Sequence, residues 1–337
     1  MKRKFIIFIS CFLLLSCIVG AIKIEPKIHN KITQIKDSVK RHWEYQKMHK
    51  SIIDVKEMPA LKDETNAWYT KYHVIAHGGG GIDGRTYTNS LEAWNYSYSR
   101  GTRVIDADMI FTTDGKLVLC HSWNDNLEQT SEPMNRSKVF IDKNGHVQYK
   151  LSKDIKVDYK TFMSRKIFRL YHPMSFESII NFMKSHPDLY VSIDMKADDM
   201  IKDHNIIEGY KYIVKKTKEA NADSILNRII VNIYDYKMYD EVSNIYPFKN
   251  IVARQHAIYP NNYTELTAFC IKKNIHVVNV SSCYADDEGI QMLREKGIRV
   301  IVAVADYISD MQYYRKKGFT GCVSSFLYED IYPLTQP

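Results

Sequence analysis

From residue 72 onward the chain repeats one rhythm: a short β-branched run, a loop, then a stretch with apolar residues three or four positions apart. The strand-like runs are His73–Ala76, Arg103–Asp108, Tyr190–Met195, Arg228–Ile233, Asn250–Arg254, His276–Ser281, Arg299–Ala303 and Gly321–Ser324. Their Val-Val, Ile-Val and Ile-Ile cores lack in–out alternation, which suits strands of a parallel sheet buried on both faces. Eight such units in a span close to the ~250 residues typical of that fold predict an α/β (β/α)8 TIM barrel. Asn89-x-x-Glu92 reads as a capping box opening the first helix, and Gly101 is placed to end it.

Two segments break the rhythm. Lys116–His121 follows Asp108 too closely for a parallel crossover, which needs about a dozen residues, so it is expected to fold back as an antiparallel partner of the second strand. A two-residue turn at Asp114-Gly115 would set Asp108 opposite His121. The stretch 123–172 carries Asn144-Gly145 between the arms Val139–Asp142 and His146–Leu151, and reads as an inserted lid over the active face. The barrel domain is thus expected at 72–337, with 123–172 as its insertion.

Upstream, residues 23–71 are polar, Lys-rich and Gly-free, a pattern read as a helical stalk. Before it, Lys2-Arg3-Lys4 precedes an uncharged, mostly apolar run from Phe5 to Ile22. Residues 1–22 are therefore expected to be an uncleaved signal anchor, a single transmembrane pass. A cleaved signal, or a lipoprotein acylated at Cys17, are the alternatives. The basic flank places the N-terminus inside and the barrel outside the cell membrane.

Charge changes the picture little. The net charge is +8, but residues 1–70 hold 13 Lys or Arg and 7 Asp or Glu, so the folded domain is close to neutral and nucleic acid is excluded as its partner. Cys120, Cys270, Cys283 and Cys322 form no C-x-x-C pair, which argues against a zinc site and for buried free thiols, with one disulfide left open.

The candidate chemistry lies where strands end. His77 closes the first strand and enters Gly78-Gly79-Gly80-Gly81, glycines that permit unusual dihedrals and a close approach of backbone N–H groups to an anion. Asp106 and Asp108, two apart on one strand, point to the same face. Inside a barrel mouth two such carboxylates repel unless a cation lies between them, and oxygen-only ligands suit Mg2+ or Ca2+. Asp194 and Lys196 repeat that spacing at the end of the third parallel strand.

Taken together, Ile75-Ala-His-Gly, Thr88-Asn-Ser-Leu-Glu-Ala93, Gly101-x-x-x-Ile-Asp-Ala-Asp108, Thr113-Asp-Gly-Lys-Leu-Val-Leu-Cys-His121 and Ile193-Asp-Met-Lys196 resemble, in order and spacing, the glycerophosphodiester phosphodiesterase family of the phosphatidylinositol-phospholipase-C-like superfamily. The chain looks like a divergent, membrane-anchored, bacterial-type member. The resemblance implies His77 and His121 as an acid/base pair, Asp106, Asp108 and Asp194 as metal ligands, and Lys196 as a phosphate-side cation. It also implies hydrolysis of a glycerophosphodiester. The family's arginine after the first histidine is Gly78 here, so that phosphate contact is either lost or supplied by Arg85, Arg254 or the glycine backbone. Two family glutamates are the shorter Asp106 and Asp194. The expected partner is a phosphodiester small molecule, phospholipid or phosphoglycan. The competing readings are a non-catalytic phosphoglycan- or phospholipid-binding barrel and a phospholipase C- or D-like enzyme acting on intact lipid.

Overall fold

All eight expected runs form strands. The computed structural model describes residues 54–123, 139–141, 147–149, 156–196, 204–255 and 262–337. In chain order these give α1 (Trp68–Lys71), β1 (Val74–Ala76), α2 (Leu91–Ser99), β2 (Val104–Phe111), β3 (Leu117–Leu119), β4 (Val139–Ile141), β5 (Val147–Tyr149), α3 (Tyr159–Ser164), α4 (Phe176–Ser185) and β6 (Tyr190–Met195). There follow α5 (His204–Glu219), β7 (Ile229–Ile233), α6 (Tyr236–Ile245), β8 (Asn250–Arg254), α7 (Tyr263–Lys273), β9 (Val277–Ser281), α8 (Asp287–Glu295), β10 (Arg299–Ala303), α9 (Ile308–Lys316) and β11 (Gly321–Ser324). The parallel strands run β1-β11-β10-β9-β8-β7-β6-β2, and β1 pairs with β2 to close the ring, a (β/α)8 barrel with β3 antiparallel on β2.

The barrel interior is apolar at its base. Ile75, Val104, Ile230, Val252, Val277, Ile301 and Val323, from the early part of seven strands, form one buried cluster with Trp68 and Tyr69. Here the stalk reading is corrected for residues 54–71. Trp68 is only 3% exposed, because its indole and the Tyr69 ring pack into the open end of the barrel rather than standing in solvent. Polar ties hold the same segment: Lys296 donates to the carbonyls of Lys56 and Met58, Leu61 N–H bonds Lys296 O, and Arg299 pairs with Asp63. The anchor at 1–22 and the rest of the stalk lie outside the described residues. Among those that are described, no helix is long and apolar enough to cross a membrane.

The first hairpin forms with a register one residue away from expectation. Met109 pairs with Leu119 and Phe111 with Leu117, and Cys120 N–H bonds Asp108 O, so Asp108 faces Cys120 and not His121. The reason is the turn. Thr112 N–H bonds Lys116 O and Gly115 N–H bonds Thr112 O, with only Gly115 of the Asp114-Gly115 pair at positive φ (+73°). That is a three-residue loop ending in a left-handed glycine, and it is fixed by Asp114, whose carboxylate accepts from Thr112 Oγ1 (2.6 Å) and Tyr159 N (2.8 Å).

The insertion contains the expected second hairpin, β4 with β5, pairing Val139 with Tyr149. Within the same insertion, Val157, Tyr159, Phe162 and Met163 pack on Ile110, Val118, Cys120 and Trp123 of the first hairpin. The remainder of the insertion between 124 and 155 lies outside the described residues, β4 and β5 apart. The capping box is also corrected: Ser90, not Asn89, caps α2 by accepting from Ala93 N, and the Glu92 carboxylate turns to His172. Cys120, Cys270 and Cys322 are buried, as expected, and Cys283 is exposed; Cys270, Cys283 and Cys322 are free thiols.

Candidate active site

Above the apolar base the barrel interior turns polar. Register places Asp106 beside Ser192, Asp108 beside Asp194, and Arg254 beside Asn279. Ser192 Oγ donates to Asp106 Oδ1 (3.0 Å), and Asn232 Nδ2 donates to Ser192 Oγ (2.9 Å), so one carboxylate oxygen is held from the strand behind it. Asp106 and Asp108 are both buried, and with Asp194 they offer three carboxylate oxygens within 4.8 Å of one another.

Such crowding has a cost that shows in protonation. Burial, reinforced by the charges of Asp194 and Asp108, raises the Asp106 carboxyl to about 7. Burial pushes Asp194 the same way. There, however, Lys196 and Arg254, with hydrogen bonds from Lys196 and the Tyr234 hydroxyl, outweigh it and hold the carboxyl well below its usual range. Lys196 lies 2.6 Å from Asp194 Oδ2 and 2.8 Å from Asp108 Oδ1, an ion pair with each. Asp106 Oδ2 remains buried without a hydrogen-bond donor. Three clustered carboxylates, one of them with a buried oxygen that no donor reaches, are the ligand set of a hard divalent cation, so these residues fit the expected metal.

His77 lies directly after β1, at the C-terminal end of the barrel. Burial lowers its imidazole pKa below 6.5, and Lys196 and Arg254 add to the effect against the opposing pull of Asp108 and Asp194. Gly78 follows in the left-handed region (φ 53°), where a Cβ would stand 3.1 Å from Asp108 Oδ2 and 3.1 Å from the Tyr87 Cα. No arginine could occupy that position in this backbone without strain. Gly78 O accepts from Asn89 N, and Asn89 grips Asp108 from both sides, with Nδ2 donating to Oδ2 (2.9 Å) and Oδ1 accepting from Asp108 N (3.2 Å).

His121, just past the β3 ladder, meets the site through an aromatic bridge. The Tyr87 ring lies 4.5 Å from that of His77 and 4.9 Å from that of His121, centroid to centroid. Of the expected substrate-side groups, Lys196 sits among the carboxylates, whereas Arg85 is directed elsewhere: it donates to Tyr171 Oη (3.2 Å) and lies over the Phe168 ring. Sequence reasoning missed Asn89, read there as a helix cap, and Tyr87, Ser192 and Tyr234. Tyr234 had a usable signal, since it follows β7 directly, two residues after the inward Asn232.

The barrel has counterparts among known proteins. The solved structures it resembles include a glycerophosphoryl diester phosphodiesterase-type protein from Silicibacter pomeroyi (14% identity, covering 78% of this chain and 92% of that one, TM-score 0.59). Another is an Oleispira antarctica phosphodiesterase in complex with the product sn-glycerol-3-phosphate (12% identity, 78% and 96% covered, TM-score 0.56). A third is a glycerophosphodiester phosphodiesterase from Parabacteroides distasonis (12% identity, 78% and 94% covered, TM-score 0.52). At these identities they show the fold alone. Among curated proteins none matches the chain. The model of the glycerophosphoryl diester phosphodiesterase family matches residues 79–327, most of the described barrel. The chain accordingly belongs to the glycerophosphoryl diester phosphodiesterase family, whose members are phosphoric diester hydrolases.

Proposed function

We propose that this protein hydrolyses a glycerophosphodiester by a metal-dependent, two-histidine mechanism, in a barrel held outside the cell membrane by residues 1–22. The observation that carries the reading is the group Asp106, Asp108 and Asp194, with the buried Asp106 Oδ2 reached by no donor, beside His77. Those three carboxylates would hold Mg2+ or Ca2+, which when bound stabilises negative charge growing on a phosphate oxygen. His77, kept neutral at pH 7 by burial, accepts the proton of the attacking water, and His121 returns one to the departing alkoxide. Lys196 orients Asp108 and Asp194 and adds positive charge at the mouth. Replacing His77 or His121 with Ala is expected to abolish chelator-sensitive release of glycerol 3-phosphate from a glycerophosphodiester. Near-normal turnover in either variant overturns the mechanism.

Location rests on the basic flank and apolar run at Lys2–Ile22, and is tested by protease access to the barrel in intact cells. A second reading draws on Lys196 lying between Asp108 and Asp194 as their counter-ion: a barrel that binds phosphodiesters without cleaving them. Tight binding of a glycerophosphodiester by the purified protein, with no turnover under any added divalent ion, would favour it.

A further inference from the structure

Arg254 ends β8 inside the barrel, and its side chain is 9% exposed. A guanidinium has five N–H donors in a fixed fork. Here the one carboxylate within ion-pair distance among the described residues is Asp194 Oδ2, at 3.5 Å, with Asp106 and Asp108 farther off, and Nε has no partner. Its ladder neighbour, Asn279, likewise holds a buried Oδ1 without a partner. Asp194 has closer partners than Arg254: Lys196 pairs with Oδ2 at 2.6 Å and the Tyr234 hydroxyl donates to Oδ1. The wider charge balance agrees. One divalent cation and Lys196 together offset the three carboxylates, which leaves Arg254 as a buried positive charge needing an anion. A phosphodiester carries one negative charge on two free oxygens, the geometry a guanidinium fork binds in bidentate fashion.

Most of the other sources of a phosphate grip are engaged elsewhere. Position 78 admits no side chain without strain. Arg85 is engaged by Tyr171 and Phe168, and the N–H groups of Gly80 and Gly81 bond His77 O and Ser325 O. Lys196 is fixed between two carboxylates.

We infer that Arg254 is the residue that binds the phosphate group of the substrate, reaching it from the wall of the barrel opposite the position where Gly78 has removed the side chain. This rests on the phosphodiesterase reading above and names the group that holds the substrate there. The test uses the full chain with Arg254→Lys and Arg254→Met, and two probes, inorganic phosphate and sn-glycerol 3-phosphate, measured by calorimetry and by thermal shift. Both probes should bind about ten- to a hundredfold more weakly to Arg254→Met, the loss expected for charge-assisted hydrogen bonds. Arg254→Lys, which keeps the charge but not the fork, should also bind at least several-fold more weakly and show a raised KM. Should Arg254→Met fail to fold, Arg254→Lys alone decides. Unchanged phosphate affinity in a folded variant overturns the inference. If that result accompanies loss of turnover in His77→Ala, the phosphodiesterase reading stands without it. If the wild type binds phosphate through Arg254 yet cleaves no diester, the phosphodiesterase reading falls instead.

Discussion

Replacing Asn89 with Ala removes two hydrogen bonds that meet on Asp108, and its consequences can be worked out bond by bond. The Nδ2 donor lies 2.9 Å from a carboxylate oxygen of a fully buried side chain, a charge-assisted bond that contributes about 1.5–3 kcal/mol. The Oδ1 acceptor lies 3.2 Å from the Asp108 N–H, which the substitution would leave buried and unpaired, at a cost of about 1–3 kcal/mol. Asn89 also sits at φ 48°, where alanine costs about 1 kcal/mol more than asparagine. The terms share one partner and do not add in full, so the expected loss is about 3–5 kcal/mol in urea unfolding of the apo protein. A double-mutant cycle with Asp108→Ala isolates the contact from the φ strain and should return a coupling of about 2 kcal/mol. Because Asn89 also aims the Asp108 carboxylate, affinity for the divalent ion should fall about 10–100-fold. A coupling below about 0.5 kcal/mol, within the additivity of independent sites, would refute the claim that Asn89 holds Asp108 in place.

Three further outcomes follow from the same geometry. With Asp106 raised to about 7, the apo protein gains stability from its protonated form at low pH and loses it as pH rises through about 7. Cation binding should therefore release a proton and tighten as pH increases through that value, read by calorimetry in buffers of different ionisation heat. His77 runs the other way: its folded pKa lies below 6.5, so its contribution to stability is present above 6.5 and is lost as pH falls through the lowered value. The acid limb of kcat/KM should likewise fall below pH 6.5, and a limb above 6.5 would contradict His77 as the base. At the base, Trp68→Ala should destabilise the barrel by about 3–5 kcal/mol in thermal or urea unfolding, a cost that a solvated stalk would not show.

The barrel was legible because its signal is repeated eight times and each run, apolar on both faces, excludes most other architectures. Asp106 and Asp108 were legible for a related reason: a spacing of two on a strand fixes a shared face whatever the loops do. What depended on loops was lost. The hairpin slipped by one because Asp114 binds Thr112 and Tyr159, contacts that cannot be counted from the turn pair itself. Asn89 looked like a helix cap because asparagine suits both a cap and the left-handed region, and only the fold brings Asp108 within its reach. Trp68 and Tyr69 fell inside the polar segment read as a stalk, since nothing local says that a barrel has an open end to receive them.

That open end carries a further consequence. Before β1, the chain enters through the ties at Lys56, Met58 and Asp63. After β11, Glu329 binds the N–H groups of His73 and Val74, while Tyr332 donates to Thr320 O. Both ends of the described fold are thus fastened on the side where strands begin. The molecule is divided into a fixed handle and a free rim. Loops on the rim can lengthen, shorten or be exchanged between relatives without loosening the base, so substrate range can change while the barrel itself stays constant.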